Sequence, residues 1–193
     1  MESSKEITAD SKTSSRLNNL VAISVALLAA FMAVTKVKDD NIVQAMLQAK
    51  SDAVDTWGEY QAKRIKHHLV ELGRDQMLAL RSGAAAQSTS QLENQAQHYE
   101  AEITRYEEEE AALQKKARAF EAQYDALNYR DDQFDLSDAA LSVCLAILAV
   151  VALTGKYWLL WVSWLIAAAG VVMGVAGLVG LRLHPDWLTK LLS

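Results

Sequence analysis

Residues 139–181 read AALSVCLAILAVVALTGKYWLLWVSWLIAAAGVVMGVAGLVGL, two apolar blocks separated by a single lysine. The first block, 139–155, is about seventeen residues long, and the second, 157–181, is about twenty-five. A helix of about 20 apolar residues crosses a bilayer. The stretch therefore predicts two consecutive transmembrane helices that turn at Lys156, the longer of them tilted. An aromatic cluster at the start of the second block is typical of a membrane interface; it comprises Tyr157, Trp158, Trp161 and Trp164.

A third apolar block lies near the N-terminus. Residues 17–35 read LNNLVAISVALLAAFMAVT without a charge, which corresponds to about 28 Å of helix. A signal peptide is the alternative, but the block is long for one and no A-x-A-like cleavage site precedes Lys36. We therefore expect an uncleaved first transmembrane helix. The polar tail 1–16 is expected to be disordered or loosely held, and the tail 182–193 to lie in the headgroup layer.

The composition agrees with an all-α membrane protein. The chain has 193 residues with one Pro, one Cys and a net charge of −5, and its mean hydropathy is +0.02. The scarcity of Pro favours long helices, and one Cys excludes a disulfide framework and a Cys-cluster zinc site. The acidic balance argues against a nucleic-acid partner. The bilayer itself is the expected partner, and no cofactor is expected.

The polar middle, residues 36–138, predicts two helical arms of similar length joined by a turn near 83–89. Gly83 is a suitable residue for the end of the first arm. Ser90 and Glu93 match the capping box that opens a helix. Because each arm continues into an apolar block, we expect an antiparallel coiled-coil hairpin that stands on the membrane between the first and second transmembrane helices.

Regular apolar spacing supports this hairpin. In the second arm, positions separated by alternating steps of four and three form a coiled-coil seam with one polar exception: Leu92, Ala96, Tyr99, Ile103, Tyr106, Glu110, Leu113, Ala117, Phe120, Tyr124 and Leu127. The first arm is less regular, and its predicted contact face is Val43, Leu47, Val54, Trp57, Gln61, Ile65, Leu69 and Leu72.

Two charge runs would face each other if the hairpin folds about residue 86. The basic run contains Lys63, Arg64 and Lys66, and the acidic run extends from Glu107 to Glu110. Ion pairs that fix the register of the arms are the favoured interpretation. A binding patch for an anion, a lipid headgroup or a protein partner is the alternative.

The histidines and the cysteine do not indicate a metal site. His67 and His68 are adjacent, so they point about 100° apart on a helix and cannot chelate one ion as residues four apart could. We expect them on the surface or at its rim, and we expect Cys144 to be a packing residue.

The third apolar block carries a row of small residues that predicts close helix packing: Ser163, Ala167, Gly170, Gly174 and Gly177. Packing within the chain and an oligomer interface remain equally open. None of the three blocks contains Asp, Glu, Lys, Arg or His, which weakens a transporter hypothesis. Catalytic and phosphate-binding motifs are missing as well, so we expect no enzyme.

Residues 55–66, DTWGEYQAKRIK, resemble a motif of one bacterial family, domain of unknown function 4337. The motif falls on Trp57, Tyr60, Gln61, Ala62, Lys63 and Lys66. The order of blocks also resembles that family over almost the full length. The resemblance implies a bacterial cell inner-membrane protein and carries no activity.

Two functions are compatible with these observations. The favoured one is a homo-oligomeric structural or protein-interaction module, whose hairpin is a candidate surface for a protein partner. The alternative is an oligomeric channel or small-solute conduit that the hairpin gates. A small excess of basic residues on the hairpin side favours the cytoplasm for the hairpin and the C-terminus.

Overall fold

The computed structural model describes residues 2–81 and 86–181, with side chains described at 15–80 and 91–181. The described residues form three α-helices and no strand: α1 (Glu2–Arg81), α2 (Ala86–Thr154) and α3 (Tyr157–Val179). The all-α prediction is confirmed. All three helices are long and apolar enough to cross a membrane.

Two helix starts differ from the sequence-based expectation. α1 is already helical at Glu2, so the expectation of a disordered tail is wrong for residues 2–16; a helix that exists from residue 17 onward extends without a new nucleation step. α2 begins at Ala86 rather than at Ser90, so the capping box does not open it. Residues 83–85 of the predicted turn and the predicted interfacial tail 182–193 lie outside the described residues.

The chain divides into two units, each described by itself. One comprises Met1–Ala45 and Ala126–Ser193, and the other Met46–Asp125. The core of the first unit takes residues from all three helices: Leu17, Val21, Leu141, Cys144, Leu148, Val151, Leu160 and Ala167. Burial of these side chains holds the apolar segments of the three helices together.

A two-residue link joins α2 to α3 in the first unit. Gly155 has a φ of +70°, a left-handed conformation that favours glycine, and its N–H donates to the carbonyl of Val151 at 2.9 Å. Lys156 is extended and precedes the first residue of α3. The chain therefore reverses within two residues, at the lysine that separates the two apolar blocks.

The C-terminal end of α3 is closed by its own backbone and by α2. Gly180 has a φ of +76°, and the N–H groups of Gly180 and Leu181 both donate to the Ala176 carbonyl, which closes the helix at a left-handed glycine. The guanidinium of Arg130 donates to the Gly177 carbonyl at 2.9 and 3.2 Å. A cation is favourable at the negative end of a helix, so Arg130 fixes α2 against α3 there.

In the second unit, the seam predicted for α2 faces inward. Every one of its positions within the unit is buried or half-buried. Contacts pair later residues of α1 with earlier residues of α2: Trp57 contacts Glu121, whereas Arg74 lies 3.7 Å from Glu100. The corresponding row on α1 also follows steps of three and four: Met46, Ala49, Ala53, Thr56, Tyr60, Lys63, His67, Val70, Arg74 and Met77.

The predicted contact face of α1 is therefore wrong. Apart from Trp57, its members are exposed. The reason is the size of the α2 seam, which presents tyrosine rings to α1. The ring of Tyr99 lies so close to Gly73 that a Cβ there would be 3.3 Å from Cζ. Small or polar residues fit beside these rings, whereas leucines would overpack the interface.

Candidate functional site

A cluster of charged and aromatic side chains joins α1 to α2 in the middle of the second unit. The Lys63 ammonium donates a hydrogen bond to Glu109 Oε2 and lies 5.7 Å from the centre of the Tyr106 ring. One turn further on, His67 Nδ1 lies 2.8 Å from Glu110 Oε1. The His67 ring also stacks with Tyr106, with 6.4 Å between ring centres. The cluster links the basic run to the acidic run.

Hydrogen bonding keeps the Lys63–Glu109 pair charged. The bond to Glu109 raises the pKa of Lys63 above its usual value. The same bond, with the charges of Lys63, Arg105 and Lys66, lowers the pKa of Glu109. Both groups are thus ionised through the neutral range. Because both side chains are partly exposed, their main effect is on register rather than on stability.

The other predicted members of the charge runs lie elsewhere. Arg64, Lys66 and Glu107 are exposed, and no ion pair joins them to another described side chain. A fold about residue 86 would place Glu110 beside Lys63 or Arg64, whereas Glu110 contacts His67, one turn away on α1. The expectation of surface histidines is wrong for His67, which is buried.

The family-like motif is divided between two faces of α1. The Trp57 indole N–H donates to Glu121 Oε1 at 2.8 Å, and the Tyr60 ring meets the Trp57 ring edge-on at 5.4 Å. Gln61 and Lys66 point outward and are exposed. A groove of about 380 Å³ borders Trp57 and is lined by Lys50, Ala53, Val54, Trp57, Glu121, Tyr124 and Asp125.

The row of small residues on α3 is buried inside the chain. Ser163, Ala167, Gly170, Gly174 and Gly177 are all buried. A Cβ at Gly170 would lie 3.1 Å from the Cβ of Ala140, and one at Gly177 would lie 3.0 Å from the Phe134 ring. The Cys144 thiol donates to the Ser163 carbonyl at 3.2 Å. α3 uses this row to approach α2 closely.

At Gly174 the row meets both other helices. A Cβ there would lie 2.7 Å from Ser137 Oγ on α2 and 2.9 Å from the Phe31 ring on α1. These separations are shorter than van der Waals contact, so only glycine fits without displacement of a neighbour. Of the two interpretations left open by the sequence, the geometry accounts for the row by packing within one chain.

A carboxylate cluster in the first unit was missed by the sequence reasoning. Asp39 on α1 is buried and bound by the Lys36 ammonium at 2.8 Å, and it lies against Asp131 on α2. Burial raises the pKa of Asp131 to about 6, helped by the hydrogen bond with Asp39 and by the charge of Asp135. The sequence signal was two aspartates just after the first apolar block and four just before the second.

This cluster predicts a pH-dependent stability. Because the pKa of Asp131 is higher in the fold than in the unfolded chain, its stabilising contribution is present near pH 4 and is lost as the pH rises to about 6. Asp131→Asn keeps a hydrogen-bonding group without the charge. We expect the variant to melt about 3 °C above the wild type at pH 7.5, with no difference near pH 4.

Thermal unfolding in one detergent at both pH values measures this effect. Asp125→Asn, at an exposed carboxylate, is the matched control and should not alter the pH dependence. An equal shift for Asp131→Asn at both pH values would contradict a proton held by the cluster.

Comparison with known proteins gives one match. The model of the family described as Domain of unknown function (DUF4337) matches residues 17–180. That range contains all three helices from the first apolar segment to the end of α3. Neither a curated protein nor a solved structure matches the chain.

Proposed function

We propose, for a chain that belongs to the DUF4337 family, the function of a homo-oligomeric membrane module that presents a helical hairpin for structural or protein contacts. In this proposal the three apolar helical segments lie in the bacterial inner membrane. The polar arms of α1 and α2 form an antiparallel coiled coil outside it, on the cytoplasmic side. The module binds lipid and protein and performs no catalysis.

The observation that carries the proposal is the continuity of two helices. α1 and α2 each run without interruption from an apolar segment into a polar arm. The arms pair through an inward α2 seam and through the Lys63–Glu109 and His67–Glu110 contacts. Paired helical arms that continue from apolar helical segments support a role in holding or spacing other molecules.

Two measurements on the full chain test this function. First, the protein should stay in membranes after alkaline carbonate extraction, and a reporter fused at Gly83 should report the cytoplasm. Second, native mass spectrometry in mild detergent should give a multiple of the 21.3 kDa chain mass. Release by carbonate would contradict membrane insertion, and a strict monomer would contradict self-association.

The channel alternative has no comparable support. It requires apolar segments of several subunits around a pore, and no observation supports such an arrangement; Gly170 and Gly174 of α3 pack inside one chain.

A further inference from the structure

The imidazole of His67 on α1 lies between two carboxylates of the second unit. Only 10% of the His67 side chain is exposed, and its Nδ1 lies 2.8 Å from Glu110 Oε1 on α2. On the other edge of the ring, Nε2 lies 3.7 Å from Glu71 Oε1, which is one turn further along α1. Each ring nitrogen of this histidine therefore has a carboxylate as its polar neighbour.

The buried Nε2 of His67 has no hydrogen-bond partner among the described residues. An ionised carboxylate only accepts hydrogen bonds, so the short contact with Glu110 places a hydrogen on Nδ1. In the neutral ring Nε2 is then an acceptor, and it faces Glu71, which is an acceptor as well. A proton on Nε2 removes this mismatch, because the doubly protonated ring donates from both nitrogens.

Glu71 can receive this second hydrogen bond. Its pKa is lowered first by a hydrogen bond with His68 and further by the charges of His67, His68 and Arg74, which outweigh the effect of burial. Glu71 is therefore ionised through the neutral range. His68 Nδ1 lies 2.8 Å from Glu71 Oε2, so the two histidines face different oxygens of one carboxylate.

The other neighbours of His67 leave its Nε2 without a donor. The rings of Tyr106 and His68 stack with the imidazole, with 6.4 and 5.9 Å between ring centres. The Lys63 ammonium lies 5.7 Å from the centre of the Tyr106 ring, and its hydrogen bond goes to Glu109. A proton is thus the species that completes the contacts of the His67 ring.

We propose that a proton on His67 ties the two arms together, with the charged ring donating to Glu110 of α2 and to Glu71 of α1. Histidine is the side chain that ordinarily changes its charge between about pH 5 and 8. The stabilisation of the paired arms is present at the acidic end of this range and is lost as the pH rises. The inference goes beyond the proposed function, because it concerns contacts within the second unit and requires neither membrane insertion nor self-association.

Nitrogen NMR of the wild-type full chain, with isotope-labelled histidine in detergent, observes this proton directly. At about pH 5.5 both ring nitrogens of His67 should carry a hydrogen, and at about pH 8 only Nδ1 should carry one. The signal that disappears in His67→Gln assigns the ring. A neutral ring with its hydrogen on Nε2, or a ring in the same state at both pH values, would overturn the inference.

Amide hydrogen exchange in the arms measures the consequence for their pairing. At about pH 5.5, residues 63–71 and 106–110 should exchange about tenfold faster in His67→Gln than in the wild type, because neutral glutamine cannot replace two charge-assisted hydrogen bonds. At about pH 8 the two proteins should agree within about twofold. Comparison at one pH cancels both the intrinsic pH dependence of exchange and the contribution of Asp131.

Two further variants separate the proton from the shape of the side chain. His98→Gln is the matched control, because His98 is an exposed histidine on α2 of the same unit, and it should match the wild type at both pH values. In Glu71→Gln the amide can donate to Nε2 of the neutral ring. Exchange in this variant should therefore be slower than in the wild type at about pH 8 and faster at about pH 5.5.

The outcomes distinguish this inference from the proposed function. If His67→Gln and the wild type differ by the same factor at both pH values, His67 is a packing residue and the inference is overturned. The same conclusion follows if Glu71→Gln speeds exchange equally at both. A strict monomer, or release by carbonate, would contradict the proposed function and leave this inference standing.

Discussion

Gly174→Leu should lower the melting temperature of the detergent-solubilised protein by about 10 °C. The reason is that Gly174 faces two helices at once. The first side-chain atom of any larger residue would lie 2.7 Å from Ser137 Oγ and 2.9 Å from the Phe31 ring. A leucine would displace both α1 and α2, and the packed first unit would open. Gly174→Ala should produce a smaller fall, because Ser137 and Phe31 can rotate away from one methyl group.

The matched control is Ala169→Leu, which enlarges an exposed residue of the same helix. It adds similar apolar volume without a neighbour in the chain, so the melting temperature should change by no more than about 1 °C. Equal shifts for Gly174→Leu and Ala169→Leu would show that α3 does not pack through its small residues.

Arg130→Met should reduce the free energy of unfolding by about 2 kcal/mol, which corresponds to a fall of about 6 °C in melting temperature. Arg130 donates two hydrogen bonds to the Gly177 carbonyl. Methionine retains most of the apolar stem but leaves that carbonyl without its side-chain donor. The melting temperature of Arg130→Lys should lie between those of the wild type and Arg130→Met, because lysine keeps the charge beside the helix end but lacks the forked guanidinium.

Arg118→Met is the comparison for this substitution. Arg118 lies on α2, is exposed, and makes no hydrogen bond or ion pair with another described side chain. Its replacement should leave the melting temperature within about 1 °C of the wild type. If Arg118→Met and Arg130→Met lower it equally, the guanidinium of Arg130 does not hold the end of α3.

The apolar segments and the α2 seam could be predicted from the sequence because their own residues show the pattern. Charge-free blocks indicated helices able to cross a membrane, and the α2 seam was visible because ten of its eleven predicted members are not charged. The Gly155–Lys156 link was visible as the only polar break between two such blocks.

The inward row of α1 could not be predicted from the sequence because several of its members are polar or charged. Thr56, Lys63, His67 and Arg74 lie on it, and a search for apolar periodicity passes over such residues. The environment of Lys63 and His67 depends on the other helix, because the Tyr106 ring and two glutamates of α2 contact them. The Thr56 hydroxyl instead donates to the Asp52 carbonyl within α1. The exposed leucines gave a stronger pattern and were assigned to the wrong contact.

For the candidate sites, the sequence predicted patterns within one helix but not the contacts between helices. The small residues of α3 indicated close packing but could not name Phe31, Ser137 and Phe134 as neighbours. Aspartates beside the first and second apolar blocks indicated a carboxylate-rich region, but the pairing of Asp39 with Asp131 depends on where the two helices meet. Contacts between distant segments require the register that only the fold supplies.

The two rows of α1 have a mechanical consequence. The inward row repeats every seven residues, which favours a left-handed supercoil. The exposed row that contains Leu47, Leu69 and Leu80 repeats every eleven, which favours a right-handed one. On an ideal helix each row drifts by about 20° per repeat, in opposite senses. The rows are therefore diametrically opposed only near Ile65 and His67. One helix cannot run straight along both, so tighter winding of the hairpin rotates the two ends of the exposed row toward different sides of α1.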